Sequence, residues 1–170
     1  LSLIAPNLSE HTIVTDAASV KGSVIEDLRV VFGKIPSKFV PGHPIAGSEQ
    51  SGYEASNELL YADRKVILTP VEETDAQALS AVQALWRGLG AQVSNMSVRD
   101  HDAVLASTSH LPHLLAYSLV NTLSAQSLTE DIFRYAAGGF AGFTRIAGSD
   151  PVMWRDIFLA NGPATVAVLD

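Results

Sequence analysis

The feature that most constrains the fold of this chain is a change of hydrophobic pattern near Asn95. Before that residue, short β-branched runs alternate with segments whose apolar residues recur at helical spacing. This alternation is typical of strands joined by crossover helices in a mostly parallel sheet. From Val98 onward only the helical period remains. The sequence therefore predicts an α/β part over residues 1–95 and an all-helical part over residues 96–170.

Local signals also mark where several elements begin. The runs that predict strands are Thr12–Asp16, Lys38–Val40, Lys65–Pro70 and Ala91–Val93. Ser19 and Thr74 stand in front of the two helical segments between these strands, so we expect both to cap helices. Pro151 predicts the start of the last helix, with Ser149 or Asp150 as its cap.

Composition narrows the class of protein. The chain has 170 residues, of which 47% are hydrophobic and 17% charged, as in a folded protein with a substantial core. Its net charge of −7 argues against a nucleic-acid partner. The absence of cysteine excludes disulfides, thiolate zinc sites and a cysteine nucleophile, and fits a cytoplasmic protein. No run is apolar enough to span a membrane and no secretory signal opens the chain.

The two ends of the sequence resemble cut ends. The chain begins at Leu1 without an initiator methionine, and it stops at Asp170 inside an apolar periodic stretch. We interpret the sequence as an internal piece of a longer protein.

The run Gly42–Glu49 places His43 between glycine and proline, directly after a predicted strand. Histidine exchanges a proton near neutral pH, and ligands collect beyond the carboxyl ends of strands in open parallel sheets. The run therefore indicates a proton-handling residue. The pattern leaves open a second interpretation, a loop histidine hydrogen-bonded to a backbone carbonyl.

A second run, Ser109–His113, lies in the first long helical segment. Ser109 and His113 are four residues apart and share a helix face, while Pro112 predicts a kink. The run fits either a binding site or a kinked core helix that faces a domain interface. A metal-dependent hydrolase built on His43, His110 and His113 is an alternative, but no HExxH pattern is present, and we expect no metal.

Two further residues could contact an anionic ligand. Arg145 lies between apolar neighbours at the edge of a glycine-rich stretch, where its guanidinium could bind a carboxylate in bidentate fashion or pair with Asp150. The Ser19 hydroxyl lies at a strand-to-helix turn, where it could cap the helix or meet a ligand anion.

Four motifs together resemble those of one known family, the prephenate dehydrogenases, also called cyclohexadienyl dehydrogenases. The motifs are Asp16–Lys21, Gly42–Gly47, Ser109–His113 and Phe143–Ile146 with Ser149–Asp156. Their order and approximate spacing fit the family from about Ile13 to about Asn161. The resemblance implies the C-terminal part of a Rossmann-type NAD domain followed by an incomplete helical domain that forms a homodimer.

The same resemblance implies an activity and roles for individual residues. The activity is oxidative decarboxylation of prephenate to 4-hydroxyphenylpyruvate, in tyrosine biosynthesis. His43 accepts a hydrogen bond from the ring hydroxyl, Ser19 holds that hydroxyl near the nicotinamide, and Arg145 binds a substrate carboxylate. Ser109 and His113 line the pocket, with His113 toward the pyruvyl side chain. The residues implied to lie beside the cofactor are Ser48 and Glu49, together with Ser19.

The sequence departs from the family pattern in one respect, and it leaves alternatives for the substrate and for the function open. The chain contains no GxGxxG motif, and it therefore also lacks the acidic residue that follows this motif and contacts the ribose of NAD. The sequence does not distinguish NAD from NADP. Arogenate is an alternative substrate, alone or together with prephenate. A non-catalytic module that dimerises and senses tyrosine is an alternative from another class, and tyrosine is a candidate inhibitor.

Overall fold

The computed structural model describes residues 1–47 and 52–169. The described chain divides into two compact units: the first comprises residues 1–47 and 52–104, and the second residues 105–169. Ser48 and Glu49, which the sequence analysis places beside the cofactor, lie outside the described residues. Within the described part, no helix has the length and apolar character needed to cross a bilayer.

The first unit alternates strands and helices. Its strands are β1 (Val14–Thr15), β2 (Phe39–Val40), β3 (Gly42–Ile45), β4 (Lys65–Leu68) and β5 (Gln92–Asn95). Its helices are α1 (Lys21–Phe32), α2 (Ala76–Gly88) and α3 (Val98–Leu105), with 3₁₀ turns at Ala5–Asn7 and Tyr53–Ala55. Although α3 follows the change of pattern near Asn95, nearly all of it belongs to this α/β unit.

The strands form two small sheets. Strand β1 pairs in parallel with β2, and β4 pairs in parallel with β5, as the sequence predicts. Strand β3 instead runs antiparallel to β4, with His43 opposite Ile67. His43 therefore lies on a strand and not in a loop, because the chain passes Pro41 and pairs immediately with β4, and the Pro41 carbonyl accepts the Thr69 N–H at 2.9 Å.

Two apolar clusters hold the first unit together. One packs β2 and β4 against α2, through Val40, Val66, Leu68, Ala78, Val82, Trp86 and Ala91. The other packs α1 against β2, through Ile25, Leu28, Ile35 and Phe39, and Val98 at the start of α3 packs against it. Helix α3 also contacts the first turn of α1 through Asp102, and β3 through His101.

Both caps predicted in the first unit are wrong. Helix α1 has no side-chain cap of its own, since its first N–H groups donate to the carboxylate of Asp102 in α3. Helix α2 is capped by Asp75, whose Oδ1 accepts the Ala78 N–H at 2.8 Å, while Thr74 accepts the Val71 N–H. The acceptor of α1 comes from a distant part of the sequence, which local capping rules do not cover.

The second unit is helical, as predicted. Its helices are α4 (Leu111–Ser124), α5 (Thr129–Arg134), α6 (Gly138–Thr144), α7 (Pro151–Ala160) and α8 (Gly162–Ala167). A π-helical segment, Ala106–His110, precedes Pro112, so the irregularity expected at the proline lies one turn upstream. The glycine-rich stretch before Arg145 forms helix α6. Asp150 caps α7 by accepting the N–H groups of Val152 and Met153.

Candidate active site

His43 is held in place by the close approach of the neighbouring strands. It follows Gly42, where a Cβ atom would lie 3.1 Å from both the Asp16 carbonyl oxygen and Leu68 Cδ2. A larger residue would require these neighbours to shift by a few tenths of an ångström, so glycine permits this close approach at the start of the strand. The His43 side chain is half-buried, just beyond the carboxyl ends of the parallel pair β1–β2. That edge is where open α/β sheets bind ligands.

A second histidine, His101 in α3, lies behind His43. Nδ1 of His43 is 2.9 Å from Nε2 of His101, and the two rings meet edge to face with centroids 5.1 Å apart. On its other side, Nδ1 of His101 is 2.7 Å from Oδ1 of Asp102. His101 is fully buried, at 0% exposure. The sequence analysis identified neither His101 nor Asp102.

Asp102 also accepts the backbone N–H groups that begin helix α1. Its Oδ1 lies 2.9 Å from the Lys21 nitrogen and its Oδ2 lies 2.8 Å from the Gly22 nitrogen. Burial alone would raise the pKa of Asp102, but the hydrogen bonds from His101 and from these two N–H groups outweigh it and lower the pKa. Asp102 is therefore a carboxylate at neutral pH.

A buried ion pair supports the same end of the sheet. The Lys21 side chain is fully buried, pairs with the Asp16 carboxylate and donates to the Gly42 carbonyl. Asp16 in turn accepts the Gly42 N–H at 3.1 Å. Burial lowers the pKa of Lys21, and the charge of Asp16 opposes that effect. These contacts join the end of β1, the start of α1 and the residue before His43.

Ser19 lies at the same edge, between β1 and α1, and is half-buried. Because Asp102 receives the first N–H groups of α1, Ser19 is not needed as a cap. In the part of the chain that is described, the structure shows no hydrogen bond from its hydroxyl group. A ligand at this edge could therefore use the hydroxyl as donor or acceptor.

In the second unit, Ser109 and His113 are in contact, as their spacing predicts. The contact uses the backbone of Ser109: Nδ1 of His113 lies 2.9 Å from its carbonyl oxygen, so Nδ1 carries the proton and donates it. The His113 ring stacks on Trp154 with centroids 3.6 Å apart. Burial lowers the pKa of His113, and the hydrogen bond to Ser109 opposes this only in part. His113 is thus a neutral imidazole whose Nε2 is an acceptor.

The remaining candidates of the second unit have distinct surroundings. Arg145 is exposed at the start of a 3₁₀ turn, Arg145–Gly148, directly after α6. His110 is buried, lies 3.0 Å from the Asn161 amide nitrogen through Nδ1, and packs edge-on against Trp154. Across residues 1–47 and 52–169, no group of three or more His, Asp or Glu is arranged to hold a metal ion.

Comparison with known proteins connects these features to one family. The model of the prephenate dehydrogenase nucleotide-binding domain matches residues 1–95, and that of the prephenate dehydrogenase dimerization domain matches residues 97–170. The chain belongs to the prephenate dehydrogenase family. The expected fold class, an α/β nucleotide-binding part followed by a helical part, is therefore confirmed, and so is the family suggested by the four motifs.

Several members of the prephenate dehydrogenase family are similar to this chain. A cyclohexadienyl dehydrogenase from Zymomonas mobilis subsp. mobilis is 43% identical, over 98% of this chain and 57% of that protein. A prephenate dehydrogenase from Bacillus subtilis is 42% identical, over 91% of this chain and 42% of that protein. This chain thus spans about half the length of these curated relatives.

Solved structures of the family agree with the fold. Prephenate dehydrogenase from A. aeolicus, in complex with hydroxyphenyl propionate and NAD+, superposes with a TM-score of 0.89 at 47% identity, covering 98% of this chain and 57% of that one. Arogenate dehydrogenase from Synechocystis superposes with a TM-score of 0.80 at 29% identity, covering 99% of this chain and 60% of that one.

Proposed function

We propose that the protein carrying this chain is an NAD-dependent prephenate dehydrogenase that converts prephenate to 4-hydroxyphenylpyruvate in cytoplasmic tyrosine biosynthesis. The observation that supports this most directly is the imidazole of His43, held at the carboxyl edge of the sheet by a hydrogen-bonded chain that ends in a carboxylate. A family relative with 47% identity carries NAD+ and a hydroxyphenyl compound. Together they favour a dehydrogenase that acts on a ring alcohol.

His43 is the general base of this reaction. It draws the proton from the ring hydroxyl while the carbinol carbon is oxidised, and the ring carboxylate then leaves as carbon dioxide because aromatisation follows. A positioned general base contributes about 10²–10⁴-fold in rate. Ser19 holds the same hydroxyl group, which its half-buried position at this edge allows.

The residues at this edge fit the reactive end of a nicotinamide cofactor. They offer a neutral hydroxyl on Ser19 and an imidazole on His43, just beyond the parallel strands where nucleotides bind in such sheets. NAD, when bound, accepts the hydride. Ser48 and Glu49 are the further residues that we assign to the cofactor side. Because the chain contains no GxGxxG motif, its sequence does not show which of the two cofactors is used, and the experiment is to compare turnover with NAD and with NADP.

The second unit supplies the groups for the substrate's carboxylates and side chain. Prephenate carries two carboxylates, and an exposed guanidinium such as that of Arg145 binds one of them in bidentate fashion. Ser109 and His113 are the further residues of this unit that we assign to binding the pyruvyl side chain. The neutral state of His113 limits it to hydrogen bonding, so the charge for the carboxylate comes from arginine.

The test is turnover of prephenate by the full-length protein, followed by NADH absorbance. His43→Asn is expected to lower kcat by about 10²-fold or more, since it removes the base. His11→Asn, at an exposed histidine of the same unit, is the matched control and should leave kcat unchanged. Arg145→Ala should raise the KM for prephenate far more than that for NAD. Unchanged turnover in His43→Asn would favour the non-catalytic, tyrosine-sensing module.

A second candidate substrate, arogenate, has one specific observation in its favour. The neutral His113 presents Nε2 as a hydrogen-bond acceptor, and arogenate carries an ammonium donor where prephenate has a keto group. The ratio of kcat/KM for the two substrates decides between a prephenate, an arogenate and a dual-substrate enzyme.

Two properties of the assembly are part of the same proposal. The helical part matches the dimerization domain of the family, which supports a homodimer, and light scattering of the full-length protein should give twice the monomer mass. Tyrosine resembles the product and is proposed as an inhibitor. Its effect is measured as a rise in the apparent KM for prephenate.

A further inference from the structure

Two side chains behind His43 form a chain that ends at the start of helix α1. Nδ1 of His43 faces Nε2 of His101 at 2.9 Å, and Nδ1 of His101 faces the Asp102 carboxylate at 2.7 Å. We propose that His101 and Asp102 are positioning residues, which hold the proton of His43 on Nδ1 and make Nε2 the nitrogen that accepts the substrate's proton. The proposal rests on the proposed function, in which His43 is the base.

The direction of each hydrogen bond follows from Asp102, the last of the three hydrogen-bonded side chains. Both oxygens of Asp102 accept backbone N–H groups, from Lys21 and Gly22, so the carboxylate is fixed as an acceptor. His101 must therefore donate through Nδ1, and in its neutral form its Nε2 is an acceptor. Within the described part of the structure, the group that faces this Nε2 is Nδ1 of His43, which must therefore carry the proton and donate it. This leaves the lone pair of His43 on Nε2.

The same geometry limits the pair of histidines to one extra proton. If both rings were imidazolium, two N–H groups would face each other across 2.9 Å. When the O–H bond of the substrate breaks and an Nε2–H bond forms on His43, the Nδ1 proton can shift to His101. The positive charge then lies beside the Asp102 carboxylate, which is an opposite charge at hydrogen-bond distance.

Two further charged groups lie near these hydrogen-bonded residues, and their opposite charges largely cancel. Lys21 and Asp16 form a buried ion pair at the same end of α1, and the Lys21 charge also acts on Asp102. Among the residues that the structure describes, Asp102 is the carboxylate at hydrogen-bond distance from the two histidines. Gly22 supports the arrangement sterically, because a Cβ at this position would lie 2.9 Å from Oδ2 of Asp102.

The kinetic test compares two substitutions at His101 and one at Asp102 in the full-length enzyme. His101→Leu removes the acceptor for His43 and should lower kcat by about 10²-fold with little change in KM. His101→Gln keeps an acceptor oxygen and should restore a large part of kcat. Asp102→Asn removes the charge, so the acid limb of the kcat profile should move to lower pH by about one unit. Asp75→Asn, at a cap aspartate that does not contact His101, is the control and should leave kcat and the profile unchanged.

A spectroscopic test does not depend on activity or on the variants. Histidine-selective ¹⁵N NMR of the wild-type protein should show neutral His43 with its proton on Nδ1, and a neutral His43 with its proton on Nε2 overturns the proposal. Equal kcat and equal pH profiles for wild type and His101→Leu overturn it as well, while loss of kcat in His43→Asn alone leaves the proposed function intact. If the wild type turns over neither substrate, the proposed function fails and the NMR result alone decides the positioning role.

Discussion

Replacing Gly22 by alanine is expected to destabilise the protein, although alanine is the better helix former. Gly22 is the second residue of α1, and its N–H donates to Asp102 Oδ2 at 2.8 Å. A Cβ there would lie 2.9 Å from the same oxygen, so the carboxylate must move. Asp102 cannot move without giving up its contacts with Lys21 and His101, because all three depend on the same carboxyl group.

The expected size of the effect follows from the contacts that are lost. Loss of a side-chain cap costs about 0.5–2 kcal/mol, and a buried His101 N–H without an acceptor costs about 1–3 kcal/mol more. Alanine returns about 0.5–1 kcal/mol through helix propensity. The net loss in the free energy of unfolding is therefore about 1–4 kcal/mol by these figures.

Urea unfolding, followed by circular dichroism, measures this difference. The matched control is Gly88→Ala, because Gly88 also lies in a helix of the first unit and an added Cβ meets nothing within 4 Å. Gly88→Ala should be neutral or slightly stabilising. If Gly22→Ala were as stable as Gly88→Ala, the carboxylate of Asp102 would not be held where the structure shows it, and the reasoning would be refuted.

Three further predictions concern the same unit. Lys21→Met leaves the Asp16 carboxylate without its buried cation and should cost about 3–5 kcal/mol in urea unfolding; adding Asp16→Asn should recover part of the loss. Folding lowers the pKa of Asp102, so the ionised carboxylate stabilises the protein fully above its ordinary pKa of about 4, and this stabilisation is lost as the pH falls through the lower pKa of the folded state. The urea midpoint of unfolding, measured across that pH range, should therefore decrease less steeply with falling pH in Asp102→Asn than in the wild type. Leu28→Ala, at a fully buried position, should cost about 2–5 kcal/mol, whereas Leu85→Ala at an exposed position should stay within about 0.5 kcal/mol, both from the same measurement.

Features that depend on neighbours in the sequence were predictable. The periodicity of apolar residues predicted the strands at Val14–Thr15 and Lys65–Leu68, and it predicted that the second unit is helical, because each such element buries one regular face. The Asp150 cap and the contact of Ser109 with His113 also follow from spacing of two to four residues. The antiparallel strand β3 did not follow, because its four residues contain both glycine and proline, which are depleted in strands.

The residues behind His43 escaped the sequence analysis for a physical reason. Asp102 meets Lys21 across 81 positions of sequence, and no periodic signal links two residues so far apart. The only local signal was the register of α3, in which His101 falls on the same helix face as Val98 and Leu105. A histidine on an apolar face is buried, and a buried histidine needs hydrogen-bond partners on both ring nitrogens. That argument identifies His101 as a candidate, but not its partners.

The start of helix α1 explains why the Asp102 carboxylate behind His43 can remain charged. A helix N-terminus carries partial positive charge on N–H groups that lack intrahelical partners, and it stabilises an anion by about 0.3–1 kcal/mol or more when partly buried. Asp102 accepts two of those N–H groups, so protonating it would cost both hydrogen bonds as well as this favourable field. A proton that reaches the two histidines is therefore expected to stay on an imidazole. Had the helix been capped locally by Ser19, as its sequence suggests, that carboxylate would lack the donors that keep it ionised.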